Sequence, residues 1–364
     1  MDHADFAVIG AGIAGASIAA ELAPHGSVLV AEAERHPGYH TTGRSAAFWE
    51  ECYGGPGVVP LTLASGHWLR EGGFLRERGA LYIARANQVD QLDAFEKSFV
   101  GTGVSITRIA RAGMERLVPG LNGEWVEAIS EPHCADIDVA ALHQHYLAQA
   151  RRSGAQIVTG HRLIAAQRSG RIWHLAFENG AEASARVLVN AAGAWVDDVA
   201  QIAGAQTIGI TPLRRTVVQL RVEPEMHPGL PLVLGIDGSF YFKPESGRIW
   251  LSPHDETPSP PCDAAPEELD VALAIDRFAQ VIDCRIAAVE RKWAGLRSFA
   301  PDRLPVYGWD GQVEGFFWFA GQGGFGIQTA PAAARLAAQI ATGSAPDAMT
   351  QSIDAAVYSP ERFV

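Results

Sequence analysis

The segment Val8-Ile9-Gly10-Ala11-Gly12-Ile13-Ala14-Gly15 decides the fold of this chain. Residues 5–9 predict a short buried strand, and Ile13 to Ala23 predict a helix of small side chains. Gly10, Gly12 and Gly15 have the spacing G-x-G-x-x-G. In this pattern the first glycine permits a tight turn, the second lets a pyrophosphate approach the backbone, and the third lets the helix pack on the strand. The segment therefore predicts a dinucleotide-binding unit.

The end of the next predicted strand supports this interpretation. Ser27 to Ala31 predict a second strand, which ends at Glu32, about 20 residues beyond the first glycines. A carboxylate at this place can accept hydrogen bonds from both ribose hydroxyls, and it would repel a 2′-phosphate. A glycine-rich turn without a ligand is the alternative, and these residues do not choose between FAD and NAD.

Three later segments favour FAD. His40 to Ala47 form a polar loop of small side chains that can run beside an isoalloxazine ring. Val187 to Trp195 form an apolar strand that breaks into small residues before a helix predicted from Val196 to Ala203. Phe316 to Ala320 predict a strand that leads through a glycine loop into an alanine-rich helix, Ile327 to Ala341, whose first N–H groups can face the flavin. An ordinary surface loop is the alternative for the first segment, and a buried strand–helix corner is the alternative for the second. A nicotinamide enzyme of the simple doubly wound type does not need the third segment.

Composition narrows the function classes. The 364 residues carry a net charge of −12, which is not the basic footprint of a nucleic-acid-binding protein. No apolar run approaches the roughly 20 residues of a membrane span, and the start of the chain lacks a basic signal-peptide head. The 4 cysteines are scattered without metal-type pairing. We therefore expect a cytoplasmic enzyme that binds a small molecule, without a metal site, a nucleic-acid partner or a membrane span.

Several motifs in this order resemble the D-amino-acid oxidase/glycine oxidase family of FAD enzymes, and within it the D-arginine dehydrogenases are the most similar. Besides the first glycine segment, the resemblance is carried by Gly43-Arg44-Ser45-Ala46-Ala47, Ala135-Asp136-Ile137-Asp138, Val189-Asn190-Ala191-Ala192-Gly193-Ala194-Trp195, Trp293-Ala294-Gly295-Leu296-Arg297-Ser298-Phe299 and Gln322-Gly323-Gly324-Phe325-Gly326-Ile327-Gln328. It implies an α/β fold of the D-amino-acid-oxidase, glutathione-reductase-like type. In that fold an FAD-binding Rossmann-like domain is interleaved with an antiparallel α+β substrate domain.

The resemblance also implies where the two domains lie. The FAD-binding domain is expected to comprise residues 1–54, 136–205 and 296–364, and the substrate-binding domain residues 55–135 and 206–295. Within the substrate domain, we predict strands at Thr216 to Val222, Ser239 to Phe242 and Ile249 to Ser252.

Residue by residue, the resemblance implies an FAD site made from these motifs. Glu32 would bind the adenosine ribose, and Gln328 would contact the flavin. The implied FAD contacts are Gly10, Gly12, Ile13, Ala14, Gly15, Glu32, Ala33, Thr42, Gly43, Arg44, Ser45, Ala46, Ala47, Ala192, Gly193, Trp195, Arg297, Gly323, Gly324, Phe325, Gly326, Ile327 and Gln328.

Two arginines match the family's carboxylate clamp, Arg215 and Arg297. A planar guanidinium holds a carboxylate well because it donates two parallel charge-assisted hydrogen bonds. A surface salt bridge is the alternative for either residue, and Arg214 could take the place of Arg215.

The resemblance implies the oxidative deamination of a D-amino acid. Tyr53 and Tyr241 would contact the substrate, although core packing is the alternative for Tyr241, and Gly323 would offer its carbonyl to the amine. Hydride transfer from Cα to flavin N5 gives an imine, which water hydrolyses to a 2-oxo acid and ammonia, so an unprotonated amine needs no strong base. The electron acceptor would be quinone-like or oxygen, and the resemblance favours a dehydrogenase. Rival functions are a sarcosine- or proline-type secondary-amine oxidase, a 2-hydroxy-acid dehydrogenase, an NAD-binding protein and a structural flavin subunit.

Specificity depends on two departures from the D-arginine dehydrogenases. Phe48 stands where they have an active-site histidine, and Ala80 where they have a glutamate that pairs with the substrate's cationic tail. Both changes predict a less polar pocket, so we expect D-amino acids with neutral or apolar side chains. Glu50 and Glu51 could instead recognise a cation, but solvated loop charges are the more usual role for such residues.

Overall fold

The structure, a computed structural model, describes residues 3–46 and 48–363. Ala47, a predicted FAD contact, lies outside the described residues. Within the described ranges, no helix combines the length and the apolar character needed to cross a membrane.

The described residues form strands, α-helices and short 3-10 helices in alternation. The strands are β1 Ala4–Ile9, β2 Val28–Glu32, β3 Phe48–Trp49, β4 Leu75–Glu77, β5 Ala80–Arg85, β6 Thr107–Ala110, β7 Trp125–Glu131, β8 Ala135–Ile137, β9 Gln156–Thr159, β10 Leu163–Ser169, β11 Ile172–Phe177, β12 Glu182–Asn190, β13 Thr211–Glu223, β14 Leu232–Gly235, β15 Tyr241–Glu245, β16 Arg248–Ser252, β17 Thr257–Pro258, β18 Arg285–Phe299, β19 Val306–Trp309, β20 Phe316–Ala320 and β21 Gln322–Gly323. The α-helices are α1 Ile13–Leu22, α2 Val59–Glu71, α3 Val89–Ser98, α4 Arg111–Leu117, α5 Val139–Arg152, α6 Val196–Ile202, α7 Glu268–Ala279 and α8 Gly326–Thr342. The 3-10 helices are Thr42–Arg44, Ala86–Gln88, Gly193–Trp195, Ala355–Tyr358 and Pro360–Phe363.

The predicted strand–glycine–helix unit is formed by β1, α1 and β2. Gly10 has a φ of 100°, which residues with a side chain rarely adopt. A Cβ atom at Gly15 would lie 1.8 Å from the carbonyl oxygen of Gly10. The helix therefore packs against the turn as closely as the glycine spacing predicts.

The first large sheet is centred on this unit. Across the described residues it contains eight strands, with the order β10-β11-β12-β1-β2-β9, and β20 and β19 follow beside β12. The central pairs β12–β1, β1–β2, β2–β9 and β12–β20 are parallel. The carboxyl ends of β1, β2 and β12 therefore meet at one edge, where open parallel sheets bind their ligands.

The second large sheet is mainly antiparallel. Its order is β21-β18-β13-β16-β15-β14-β5-β7-β6, and β17 joins β13. The long strands β13 and β18 pair from Thr211 with Phe299 to Glu223 with Arg285. A smaller antiparallel sheet has the strand order β3-β8-β4.

The main apolar core lies between the first sheet and the helices α1, α5 and α8. Its members include Ile18 of α1, Leu142 of α5, Leu336 of α8 and Phe317 of β20, all buried. The many alanines of α1 and α8 let these two helices approach each other closely.

The predicted elements are present, with shifted ends. Strand β20 spans Phe316–Ala320 as predicted, and the helix predicted from Val196 ends at Ile202, one residue early. The strand predicted from Ser239 begins only at Tyr241, because Asp237 Oδ1 accepts the backbone N–H of Ser239 over 3.0 Å and holds a turn there.

Candidate active site

A cavity of about 460 Å³ is lined by residues of both large sheets. Its size falls in the usual range for small-molecule sites, about 300–1,000 Å³. Most of the predicted FAD and substrate contacts line it. They are Gly10, Gly12, Ile13, Ala14, Glu32, Ala33, Thr42, Arg44, Ser45, Ala46, Phe48, Tyr53, Ala192, Gly193, Trp195, Arg215, Tyr241, Arg297, Gly323, Gly324, Gly326, Ile327 and Gln328.

Three predicted FAD contacts are not among the lining residues: Gly15, Gly43 and Phe325. Gly15 lies where α1 packs on the glycine turn. A Cβ atom at Gly43 would lie 2.7 Å from the carbonyl oxygen of Gly38, so Gly43 allows that loop to close. Phe325 is buried, with its ring 6.2 Å from the ring of Tyr53. These three residues lie behind the cavity wall and shape it rather than face a ligand.

One end of the cavity has the features of a nucleotide site. Both carboxylate oxygens of Glu32 accept backbone N–H groups, from Ala11 over 2.7 Å and from Glu34 over 2.9 Å, so the carboxylate is fixed while lone pairs stay available to a ribose. Helix α1 has no acidic residue in its first turn, which leaves its N-terminus favourable to an anion. A Cβ atom at Gly12 would already contact Thr42 Oγ1 at 3.1 Å. These residues fit the diphosphate and ribose of FAD.

At the opposite end, strands β13 and β18 bring Arg215 and Arg297 together. Their register pairs Leu213 with Arg297 and Arg215 with Gly295. Because side chains alternate between the two faces of a strand, Arg215 and Arg297 are diagonal neighbours on one face of the sheet. Both side chains are buried and line the cavity.

Arg214 lies on the other face of β13. Its guanidinium forms ion pairs with Glu267 and, over 2.9 Å, with Asp270, and it does not line the cavity. The alternation of the strand therefore separates the two adjacent arginines, and only Arg215 can take part in a clamp inside the cavity.

The two cavity arginines are held by protein acceptors but keep free donors. Arg215 Nε donates to the carbonyl oxygen of Asp255 over 2.8 Å. Arg297 Nη1 donates to the hydroxyl of Tyr53, and Nη2 donates to Glu256 Oε1 over 2.7 Å. Arg297 Nε is buried and has no hydrogen-bond partner within the described residues. A buried, unpaired guanidinium donor is a feature that a ligand carboxylate can satisfy.

Two tyrosines flank the arginines: Tyr241 is buried, and Tyr53 is partly buried. Burial raises the pKa of each hydroxyl to about 12. Both tyrosines therefore stay neutral at physiological pH and can donate a hydrogen bond to a carboxylate while their rings exclude water.

The C-terminal glycine loop closes around the same residues. A Cβ atom at Gly324 would lie 1.9 Å from the Tyr53 hydroxyl and 2.8 Å from Arg297 Nη1, so a side chain there would displace both of these residues. Gln328 lines the cavity, but its side-chain amide donates to the carbonyl of Glu50 over 3.1 Å and to Thr62 Oγ1 over 2.8 Å. Gln328 therefore anchors the segment that starts at Glu50.

Phe48 forms part of an apolar wall together with Leu232, Leu234 and Tyr241. The rings of Phe48 and Tyr241 meet edge to face with their centroids 6.0 Å apart. Ala80 is not a lining residue, because strand β5 buries it opposite Glu131 of β7. The expectation that Ala80 lines the substrate pocket is therefore wrong.

Glu50 and Glu51 are both buried, so the interpretation as solvated loop charges is also wrong. Glu51 is used structurally: Oε2 accepts the N–H of Ser105 over 2.7 Å, and Oε1 lies 3.2 Å from His133 Nδ1. Glu50 differs, because it lines the cavity.

Sequence reasoning missed the segment after β16. His254 lines the cavity, has a φ of 57°, and bonds through Nδ1 to the carbonyl of Gly238 over 2.6 Å. Burial and the nearby Arg215 lower the pKa of His254 to about 3, so its ring is neutral at physiological pH. Glu256 Oε1 also accepts from Arg303 Nη2 over 2.8 Å. One sequence feature could have indicated this part of the site: the polar run His254-Asp255-Glu256 follows shortly after the strand predicted to end at Ser252.

Comparison with known proteins agrees with this geometry. Residues 5–340 match the family described as DAO, FAD dependent oxidoreductase. The chain is 23% identical to hydrogen cyanide synthase subunit HcnC of Pseudomonas aeruginosa, over 89% of each chain. Among solved structures, L-proline dehydrogenase from P. horikoshii has a TM-score of 0.86 at 22% identity and covers 100% of this chain and 98% of its own. Glycine oxidase from Geobacillus kaustophilus has a TM-score of 0.84 at 22% identity and full coverage of both chains.

The family match covers nearly the whole chain, and these solved structures share its fold. The predicted fold class, a Rossmann-like FAD-binding part combined with an antiparallel substrate part, is thereby confirmed. The chain belongs to the DAO family of FAD-dependent oxidoreductases, and FAD is its cofactor.

Proposed function

We propose that this enzyme oxidises a D-amino acid to an imine, which hydrolyses to a 2-oxo acid and ammonia. The observation that carries the proposal is the convergence of Arg215 and Arg297 inside the cavity whose other end fits FAD. Two guanidinium groups on one sheet face form a receptor for a carboxylate. A substrate that lacks a carboxylate would leave Arg297 Nε buried and unpaired.

The arginines and tyrosines orient the substrate. The carboxylate would accept hydrogen bonds from Arg215, Arg297 and the neutral hydroxyls of Tyr53 and Tyr241. Hydrogen bonds to charged groups contribute roughly 1.5–3 kcal/mol each, so two or three of them can fix the position of Cα.

The other wall residues position the amine and exclude water. Gly323 lies at the cavity with its backbone in the left-handed region, φ 51°, and its carbonyl would accept a hydrogen bond from the amine. Phe48, Leu232 and Leu234 form an apolar wall that would exclude water from the reacting atoms. When bound, FAD supplies the two-electron acceptor for the hydride that leaves Cα.

We also propose the predicted division into two domains. All strands of the first sheet fall within residues 1–54, 136–205 and 296–364, and most strands of the second fall within 55–135 and 206–295. Strand β18 crosses the boundary at residue 296 and carries Arg297 at its end. The clamp would therefore lie where the two domains meet.

Anaerobic bleaching of the oxidised holoenzyme tests the function. Matched D- and L-amino acids, sarcosine, L-proline and 2-hydroxy acids are added separately, and the loss of flavin absorbance is followed. We expect D-amino acids to bleach the flavin fastest. Fast bleaching by sarcosine or proline would establish a secondary-amine enzyme, and fast bleaching by 2-hydroxy acids a hydroxy-acid dehydrogenase. Reoxidation with oxygen or with a quinone then identifies the electron acceptor.

A further inference from the structure

Glu50 is a buried residue in the candidate active site whose carboxyl group has no partner among the described residues. Glu50 is 3% exposed and lines the cavity. Within residues 3–46 and 48–363, its carboxyl oxygens form no hydrogen bond and no ion pair. Its backbone is held firmly, because the N–H donates to Gln328 Oε1 over 3.3 Å and the carbonyl accepts from Gln328 Nε2 over 3.1 Å. Burial of an unpaired carboxyl is unfavourable, so its retention in a fixed position indicates a ligand.

The groups around Glu50 are mostly acidic or neutral. Its own segment contributes Glu51, Cys52 and Tyr53, strand β7 contributes Glu131, and Cys134 lies just before β8. Glu131 accepts backbone N–H groups from Glu51 over 2.5 Å and from Cys52 over 3.4 Å. Glu51 itself is satisfied by Ser105 and His133. Among the described residues, none of the basic side chains pairs with either Glu50 or Glu131.

These surroundings decide which of the two carboxyl groups carries the charge. Burial raises the pKa of Glu131 to about 7, although the backbone N–H groups of Glu51 and Cys52 act in the opposite direction and favour its charged form. Among the described residues, no such donor reaches the carboxyl group of Glu50. Burial, together with the adjacent Glu131, raises the pKa of Glu50 well above its usual range. In the free cavity Glu50 is therefore the protonated member of the pair.

We propose that Glu50 is the group that recognises a positively charged nitrogen of the substrate. This inference rests on the proposed function, because it assigns a ligand group within the same cavity. A cation placed beside Glu50 satisfies the buried carboxylate and offsets the charge of Glu131. Binding then proceeds from a protonated carboxyl and a free ammonium ion to a carboxylate–ammonium pair, and one proton leaves to solvent.

The charged nitrogen can come from two parts of an amino acid, the α-ammonium group or a basic side chain. Two ligands separate these sources without being oxidised as α-amino acids, because neither has both an amine and a hydrogen on the carbon next to its carboxylate. 2-Aminoisobutyrate carries the α-ammonium group, and pivalate is its isostere without the amine. 5-Aminopentanoate carries only a distal ammonium group, and pentanoate is its control.

The test measures proton release in weakly buffered solution when each ligand binds to oxidised holoenzyme near neutral pH. We expect release with at least one of the two amino ligands and none with pivalate or pentanoate. Proton release with 2-aminoisobutyrate would show that Glu50 binds the α-ammonium group of the substrate. Proton release with 5-aminopentanoate but not with 2-aminoisobutyrate would show that Glu50 binds a nitrogen of the side chain. In Glu50→Gln, release should vanish and affinity for that ligand should fall about 10- to 100-fold, with pivalate affinity and FAD content unchanged.

Glu51→Gln is the matched control, because its carboxylate is adjacent in sequence but does not line the cavity. It should keep proton release. The inference is overturned if the unmodified enzyme neither releases a proton with the amino ligands nor binds them more tightly than pivalate and pentanoate. It is also overturned if Glu50→Gln releases as many protons and binds the amino ligands as tightly as the unmodified enzyme. Failure of the proposed function is distinct, because it would appear as unbleached flavin with every amino acid while proton release persisted.

Discussion

Arg297 donates a hydrogen bond from Nη2 to Oε1 of Glu256 over 2.7 Å. The same oxygen accepts from Arg303 over 2.8 Å and lies 3.5 Å from Arg215 Nη2. A carboxylate of the protein is therefore already present beside both arginines of the clamp. Because the Glu256 side chain is one-third exposed, it has room to turn toward solvent when a substrate carboxylate arrives.

Glu256→Gln should therefore improve substrate binding. The amide keeps the size of the side chain but removes the negative charge that competes for Arg297. We expect KM to fall on the order of tenfold, with kcat nearly unchanged, since one charge-assisted hydrogen bond is weakened. Glu268→Gln, whose carboxylate pairs with Lys292 on the surface, is the control and should keep the original KM. A rise in KM for Glu256→Gln would show that Glu256 holds the arginines in place instead.

Arg297→Met should impair catalysis without loss of cofactor. Methionine keeps much of the stem volume but removes the guanidinium donors. The loss of hydrogen bonds worth roughly 1.5–3 kcal/mol each should lower kcat/KM by a factor on the order of 10 to 10⁴. Steady-state kinetics and the flavin absorbance per protein measure the two effects. Arg214→Met is the control, because Arg214 pairs with Glu267 and Asp270 outside the cavity, and turnover close to that of the unmodified enzyme is expected.

Gly12→Val should yield colourless protein. A Cβ atom there already approaches Thr42 Oγ1 to 3.1 Å, and the branched side chain would fill space needed by the pyrophosphate. Absorbance of the purified protein measures FAD content. Gly311→Val is the control, since a Cβ atom at Gly311 meets nothing within 4 Å. Stoichiometric FAD in purified Gly12→Val would refute the assignment of the N-terminal glycines.

Ala80→Glu should destabilise the fold rather than redirect specificity. Ala80 is 1% exposed and opposite Glu131, so the new carboxyl would be buried beside an existing one. An unpaired buried charge of this kind costs several kcal/mol, and the temperature of unfolding should drop accordingly. Ala86→Glu, at an exposed position just after the same strand, should leave it nearly unchanged. A stable Ala80→Glu protein that newly prefers D-arginine would contradict the placement of Ala80 outside the pocket.

The parts of the fold that follow local rules could be predicted from the sequence. Gly10, Gly12 and Gly15 fix the turn between β1 and α1, whereas the choice between Arg214 and Arg215 stays open until the register of β13 is known. Each of these outcomes depends on residues close together in sequence or on one strand register. The family resemblance predicts a clamp of Arg215 and Arg297, and the strand register places both of them at the cavity.

The parts that depend on distant loops could not be predicted. Glu50 and Glu51 look alike in sequence, yet one faces the cavity and the other binds Ser105. Glu256, just before β17, and Arg297, on β18, are far apart in sequence. They meet because β17 and β18 both pair with the same end of β13, one on each of its edges. The family resemblance predicts Ala80 at the pocket, but the pairing of β5 with β7 buries it.

The most direct test compares flavin reduction by a D-amino acid with reduction by the amine that lacks its carboxylate. D-phenylalanine and 2-phenylethylamine form such a pair, and anaerobic rapid mixing gives the rate of flavin bleaching for each. If Arg215 and Arg297 hold the substrate carboxylate, D-phenylalanine should reduce the flavin at least about 100-fold more efficiently, which corresponds to roughly 3 kcal/mol of lost binding in the transition state. Equal efficiency of the two compounds would contradict the carboxylate clamp, and with it the assignment of this enzyme to amino-acid oxidation.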